Sequence, residues 1–211
     1  MGMTERASAE PGAEPATQDG RRRRAEVNRL RIVQAMIELV REGDSTPSAE
    51  LVAERAGVSH RTVFRLFNDM DGLYREIQGV MLRRLDPLLH QPLAGEDWCA
   101  RLTSLVAHRA RIFEEILPVK TAADAQRARS SFLQGEHRQF IRMQREMLMF
   151  VLPEAVKGEA QLLDALDLAL SFESWRRLRM DQELTAEAAL AVMDRTVRAL
   201  LAQIQEGKDS P

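Results

Sequence analysis

Apolar residues recur along most of the chain at helical spacing. Leu30, Val33, Ala35, Ile37 and Val40 follow a period close to 3.6 residues, and Gly43 stands where a left-handed cap would end a helix. Ser48 is a suitable N-cap for a short helix over residues 49–56, with Leu51, Val52, the stem of Arg55 and Ala56 expected inward. Gly57 stops it. Ser59 opens a third helix over residues 60–66 with Val63 and Phe67 inward, and Asn68 with Asp69 precedes a fourth from Met70 towards Leu89. Pro87, Pro92 and Gly95 break that pattern. Further stripes cover residues 98–117, 121–152, 159–180 and 185–205, divided by Pro118, by Pro153 with Gly158, and by residues 181–185.

Strand signals are scarce. The chain has no sustained period-two alternation and no Asn-Gly or Asp-Gly hairpin between β-branched runs, so the expected fold class is all-α. Four segments are expected: a disordered leader over 1–20, a unit of short helices over 21–69, a larger helical domain over 70–206, and a flexible tail over 207–211. The densest apolar run, 147–152, is six residues long, far short of a membrane span, and is expected to be core. No membrane partner is expected. The first twenty residues lack the basic start and apolar middle of a secretion signal, which leaves the cytoplasm as the expected location.

Composition narrows the picture. The 211 residues are 45% hydrophobic and 29% charged, as in a soluble globular protein with a sizeable core. A single cysteine, Cys99, excludes an intramolecular disulfide and a four-cysteine zinc module; it is expected to be a buried small apolar group. The formal charge of −2 excludes a generally polybasic protein, so any nucleic-acid patch must be local. The basic excess lies early: residues 21–75 hold 11 arginines against 8 acids, whereas 76–211 hold 18 basic and 20 acidic groups. It begins with Arg21, Arg22, Arg23 and Arg24, a run that reads equally as a bland feature, a solvated face or helix N-terminal extension, or as a local nucleic-acid patch.

The unit from Ser48 to Phe67 carries the most specific pattern. Two short helices flank a turn in which Gly57 can take a left-handed conformation, Val58 can plug the angle between them, and Ala53 is small enough for close approach. The second helix then presents His60, Arg61, Thr62 and Arg65. Arginine can fork to guanine or phosphate, histidine and threonine can donate to either, and helix N-terminal amides attract phosphate. The same pattern also fits an ordinary helical hairpin with a polar face.

These residues resemble a known family. Arg31-Ile32-Val33-Gln34-Ala35, Gly43, the run Leu51-Val52-Ala53-Glu54-Arg55-Ala56-Gly57-Val58-Ser59, then Thr62-Val63-Phe64-Arg65-Leu66-Phe67 and Asp71-Gly72-Leu73-Tyr74 are similar in order and spacing to the DNA-binding region of TetR-type (TetR/AcrR) transcriptional regulators. The similarity covers residues 22–75. It implies a three-helix helix-turn-helix domain followed by a ligand-binding and dimerisation domain, with residues 59–67 as the recognition helix. It also implies that Ser48 lies near a phosphate, that Ser59, His60, Arg61, Thr62, Phe64 and Arg65 face DNA, and that Arg21 to Arg24 touch backbone or minor groove. Three positions depart from the family: Phe64 stands in place of a frequent tyrosine, Leu66 of a histidine and Met70 of a lysine, which removes two phosphate contacts. Arg61 and Arg65 can compensate.

Under that resemblance the protein is a sequence-specific regulator, by family default a repressor, released from an inverted-repeat operator in double-stranded DNA by a small-molecule effector. One recognition helix reads too few base pairs to find a genomic site, so a homodimer is expected. Leu190, Met193, Val197, Leu200 and Ile204 form one apolar stripe, and Leu162, Leu166 and Leu170 belong to another. They can meet across a dyad as a four-helix bundle or pack within one subunit. Candidate effector contacts are Trp98, His108, Phe113, His137, Phe140, Met147 and Trp175, chosen as aromatic, methionine or polar groups in apolar segments. A greasy molecule would suit an apolar cavity; Arg109, Arg111, Arg138 or Arg142 could instead hold an anion. The four histidines are scattered, and no metal pair, nucleophile elbow or phosphate loop is present, so neither catalysis nor a cofactor or metal is expected. The rival readings are a helical protein-interaction module without specific DNA binding and, less favoured, a helical enzyme.

Overall fold

The computed structural model describes residues 15–67 and 69–208. Among them are ten α-helices, one 3₁₀ turn (Arg127–Arg129), one π-helical turn (Arg177–Asp181) and no strand. The helices are α1 (Pro15–Arg41), α2 (Ala49–Ala56), α3 (His60–Phe67), α4 (Met70–Leu89), α5 (Trp98–Gln126), α6 (Ser131–Val151), α7 (Glu154–Lys157), α8 (Ala160–Ala169), α9 (Phe172–Arg176) and α10 (Ala186–Lys208). None is long and apolar enough to cross a membrane.

α1 starts earlier than expected. Pro15 sits at the first helical position, where its fixed φ is favourable and its missing N–H has no partner to lose. Residues 15–20 are therefore helical rather than part of a leader; residues 1–14 lie outside the described ones. Likewise Gly207 and Lys208 still belong to α10, so the tail expected from 207 starts too early, and 209–211 lie outside the described residues. The inner face of α1 buries Ile32, Val33, Ala35, Met36, Ile37, Leu39 and Val40, whereas Leu30 is exposed.

The three helices of the head follow local signals closely. Ser48 Oγ accepts the Leu51 N–H, and Gly57, at φ 65°, turns the chain so that its own N–H and that of Val58 cap the end of α2. Val52, Ala53 and Ala56 are buried; Leu51 is not. α2 and α3 pack on α1, with Val63 and Phe67 sealed inside.

The larger domain wraps around α5, which touches α1, α4, α6, α9 and α10. That enclosure explains why Pro118, expected to end a helix, lies inside one: packing on several sides offsets the roughly 3 kcal/mol an interior proline costs. The break comes instead after Gln126. The stripe over 159–180 also divides, between α8 and α9, where Ser171 Oγ accepts the Ser174 N–H and caps the second piece. In the run 147–152, Leu148, Val151 and Leu152 are core but Phe150 is 87% exposed. Cys99, expected inside, is exposed, and its thiol is pushed up by partial burial and by Asp97, which disfavours the reactive thiolate.

The stripes considered for a dyad are largely spent within the protomer. Leu166 and Leu170 of the α8 segment and Met193 and Val197 of α10 are buried within the protomer, and α8 and α10 pack on each other. Leu162, Leu190 and Leu200 are half-buried, and the side chain of Ile204 lies outside those described. Outward on the same elements stand Leu168 and Val192.

Candidate nucleic-acid interface and core cavity

α3 leaves its polar flank uncovered. Ser59, His60, Arg61, Phe64 and Arg65 are exposed and Thr62 is half-buried against Ser59, whose Oγ lies 2.8 Å from Thr62 Oγ1 and also accepts the Thr62 N–H. The helix is strongly two-sided, since Val63 and Phe67 point into the head. Phe64 meets the His60 ring edge-on at 4.7 Å between centroids. His60 is not unconstrained: its Nε2 is 3.0 Å from Glu50 Oε1 on α2, so this ring has to exchange partners to meet another acceptor. Ser48 is exposed, and accepting the capping bond leaves its hydroxyl hydrogen to donate.

Arg21, Arg22, Arg23 and Arg24 are helical and exposed. Four consecutive helical residues step by about 100° each and encircle the axis, so the run cannot present all its charges to one surface. A residue not singled out from the sequence does more to build the site. Arg29 donates to Glu76 Oε1 of α4 at 2.7 Å and to the Leu66 carbonyl at the end of α3 at 2.8 Å, and lies over the Phe67 ring. It satisfies a terminal carbonyl and fixes where α3 ends. Its role depends on three helices meeting, and local spacing gives no sign of it. The bidentate pair Arg55–Glu42 similarly joins α2 to the end of α1.

The joint between α3 and α4 is close. Asp69 Oδ1 caps α4 through the Gly72 N–H, and a Cβ on Gly72 would come within 2.2 Å of the Phe67 carbonyl oxygen. Glu115 of α5 lies between Arg41 of α1 and Arg84 of α4, at 3.6 and 3.1 Å, and Ser130 donates to Asp71. Head and core are thus tied through both α1 and α4.

A cavity of about 230 Å³ opens between α1, α4, α5 and α6. Its walls are mostly aliphatic, with Met36, Ile37 and Val40 from α1, Ile77, Met81 and Leu85 from α4, Ile112 and Ile116 from α5, and Leu133 and Met143 from α6. Tyr74, Phe132 and Phe140 add rings; burial, then Asp71, raises the Tyr74 phenol, which keeps it protonated. Of the effector contacts expected from the sequence, His137 and Phe140 line this space. Trp98, His108, Phe113, Met147 and Trp175 do not. Phe113 and Trp175 are core, with the Trp175 indole N–H donating to Glu114, and Trp98 and Met147 are half-buried packing. His108 is buried, and desolvation followed by Arg111 and Arg109 lowers its pKa, so it is neutral at pH 7.

None of Arg109, Arg111, Arg138 and Arg142 lines the cavity. Arg109 is buried elsewhere and donates to the Leu170 and Gln144 carbonyls; burial pushes its guanidinium down to about 10, which still leaves it charged at pH 7. The charges on the cavity wall are Lys120, Asp124 and Glu136. Lys120 Nζ is 2.5 Å from Asp124 Oδ1 and 3.2 Å from His137 Nδ1, with the rings of Phe140 and Phe172 each 5.5 Å away. Arg127 also reaches Asp124. Burial, then Lys120 and Arg127, lowers the His137 pKa; because an ammonium only donates, His137 Nδ1 accepts and Nε2 carries the proton. Asp124, His137 and Glu173 are close enough to share a cation, but the Lys120 ammonium already stands at the first two. Glu136 accepts from the Gln78 amide and makes no ion pair among the described residues.

No protein-family model matches the chain, and no curated protein matches it. Among solved structures, a transcriptional regulator from Rhodococcus sp. Rha1 is similar over 83% of this chain and 96% of its own, with a TM-score of 0.64 and 19% sequence identity. What the two chains share at that identity is an all-α fold.

Proposed function

We propose that the protein is a sequence-specific DNA-binding transcriptional regulator that acts as a homodimer on an inverted repeat. The observation that carries this reading is the uncovered flank of α3: His60, Arg61, Phe64 and Arg65 stand outward directly after the Ser59 cap and the Gly57 turn. Arginines there can reach base edges or phosphates. The fold shared with a protein described as a transcriptional regulator supports the same reading.

The dimer is proposed through the outward sides of α8 and α10, where Leu168 and Val192 are exposed, rather than through Leu166, Leu170, Met193 and Val197. Two α3 helices must then sit one groove repeat apart, about 34 to 36 Å or a multiple. In the proposed switch, a small molecule in the cavity favours one placement of α4, shifts the paired α3 helices out of register with the grooves, and releases a repressor from its operator.

Selection of bound duplexes from a random pool is the decisive experiment. An enriched palindrome, bound with log affinity falling against log salt by about 0.9 per phosphate neutralised, is expected. A pool that stays random, with no duplex retained at low salt, leaves the helical interaction module as the better reading.

A further inference from the structure

The sign of the charge on the cavity wall narrows the ligand. Granted a regulator that answers to a small molecule in this space, we propose that its ligand is an organic monocation, an ammonium or amidinium carried on a compact apolar body, held by the Glu136 carboxylate.

Glu136 is half-buried on the cavity wall, and its partner there is the neutral Gln78 amide. The other two wall charges, Lys120 and Asp124, balance each other at 2.5 Å, and the Lys120 ammonium also faces two aromatic rings; Arg127, which reaches Asp124 as well, is not on the wall. The wall therefore carries one net negative charge. A carboxylate ligand would have to take Lys120 from Asp124 and approach Glu136 as well. A neutral ligand would leave Glu136 facing an apolar body, which costs solvation without return. An organic cation removes that cost, and the Tyr74 ring can attract it further, whereas Phe132 already faces Arg75 and Phe140 already faces Lys120.

Volume limits the apolar body. A cavity of about 150 Å³ lined by aliphatic and aromatic groups holds a benzene ring, so 230 Å³ accommodates a bicyclic body or a ring with a short chain. The same carboxylate links the ligand to the head. Glu136 belongs to α6 and Gln78 to α4, so a cation drawn to Glu136 competes with the bond that ties these helices together. The apolar end of the ligand meanwhile meets Met36, Ile37 and Val40 of α1 itself.

Three probes of matched size test the proposal on the full chain at pH 7: 1-naphthylmethylammonium, 1-naphthylmethanol and 1-naphthoate, titrated by calorimetry. The ammonium is expected to bind at least tenfold more tightly than the alcohol, and the carboxylate most weakly. Glu136→Gln, which can still pair with Gln78, is expected to cost the ammonium at least tenfold and to change the alcohol less than twofold. An alcohol or carboxylate that binds as well as the ammonium overturns the proposal, as does a variant that weakens ammonium and alcohol alike. If the variant does not fold, the ranking on the unaltered chain decides. Duplex retention is measured separately: an ammonium preference without duplex binding sinks the regulator and keeps the ligand, and duplex binding without the preference does the reverse.

Discussion

Residues 15–67 turn their polar chemistry outward, whereas residues 70–208 turn theirs inward. In the head, Arg61 and Arg65 stand in solvent on a helix whose other side is sealed by Val63 and Phe67. In the core, Arg109, His108 and Gln144 are buried, and Lys120, Asp124 and Glu136 surround a cavity. The two regions therefore tolerate change in different places. An outward arginine can change partners without disturbing packing, while an inward charge changes the balance of several helices at once.

The sharpest contrast comes from paired substitutions. Leu166→Ala removes a fully buried side chain of α8, and is expected to cost about 2 to 5 kcal/mol in denaturant unfolding. Arg61→Ala should leave that stability within about 0.5 kcal/mol yet weaken operator binding by about 1 to 3 kcal/mol if Arg61 reads a base. If it holds a phosphate instead, every duplex weakens alike and the salt slope falls by about 0.9. Equal destabilisation by the two substitutions would erase the distinction between head and core.

A smaller effect tests the inward side at its edge. Hydrogen bonds from Arg179, and then from Trp175, hold the Glu114 carboxyl below its ordinary value, while partial burial opposes them. A lowered folded value means that the pair stabilises above about pH 4.5 and that this gain is lost as acid protonates the folded carboxylate. Glu114→Gln should therefore lower the unfolding free energy at pH 7, by about 1 kcal/mol or less because the carboxylate is partly exposed, and the gap should close towards pH 3. A gap that is constant across that range would assign the effect to packing alone.

The head was largely legible because its instructions are local. Ser48, Gly57 and Ser59 each act within four residues, and the elements they bound agree with the expected ones. The core was less legible because its decisions are made at a distance. Pro118 stays helical through the helices packed around α5. The cavity arises where four helices meet. Choosing aromatic and polar residues segment by segment therefore reached His137 and Phe140 and missed Glu136, whose meaning depends on Gln78 fifty-eight positions away. Arg29 escaped notice for the same reason, since a guanidinium that bridges three helices resembles any other in a basic stretch.

At Gly72 there is no room for a Cβ between the end of α3 and the start of the long helix that follows. A hinge with play would absorb a small twist of α4 before α3 felt it; a joint this tight leaves little room for that. Under the proposed switch such a joint would hand the motion of the shaft on to its neighbour, and a side chain at position 72 would wedge the two apart.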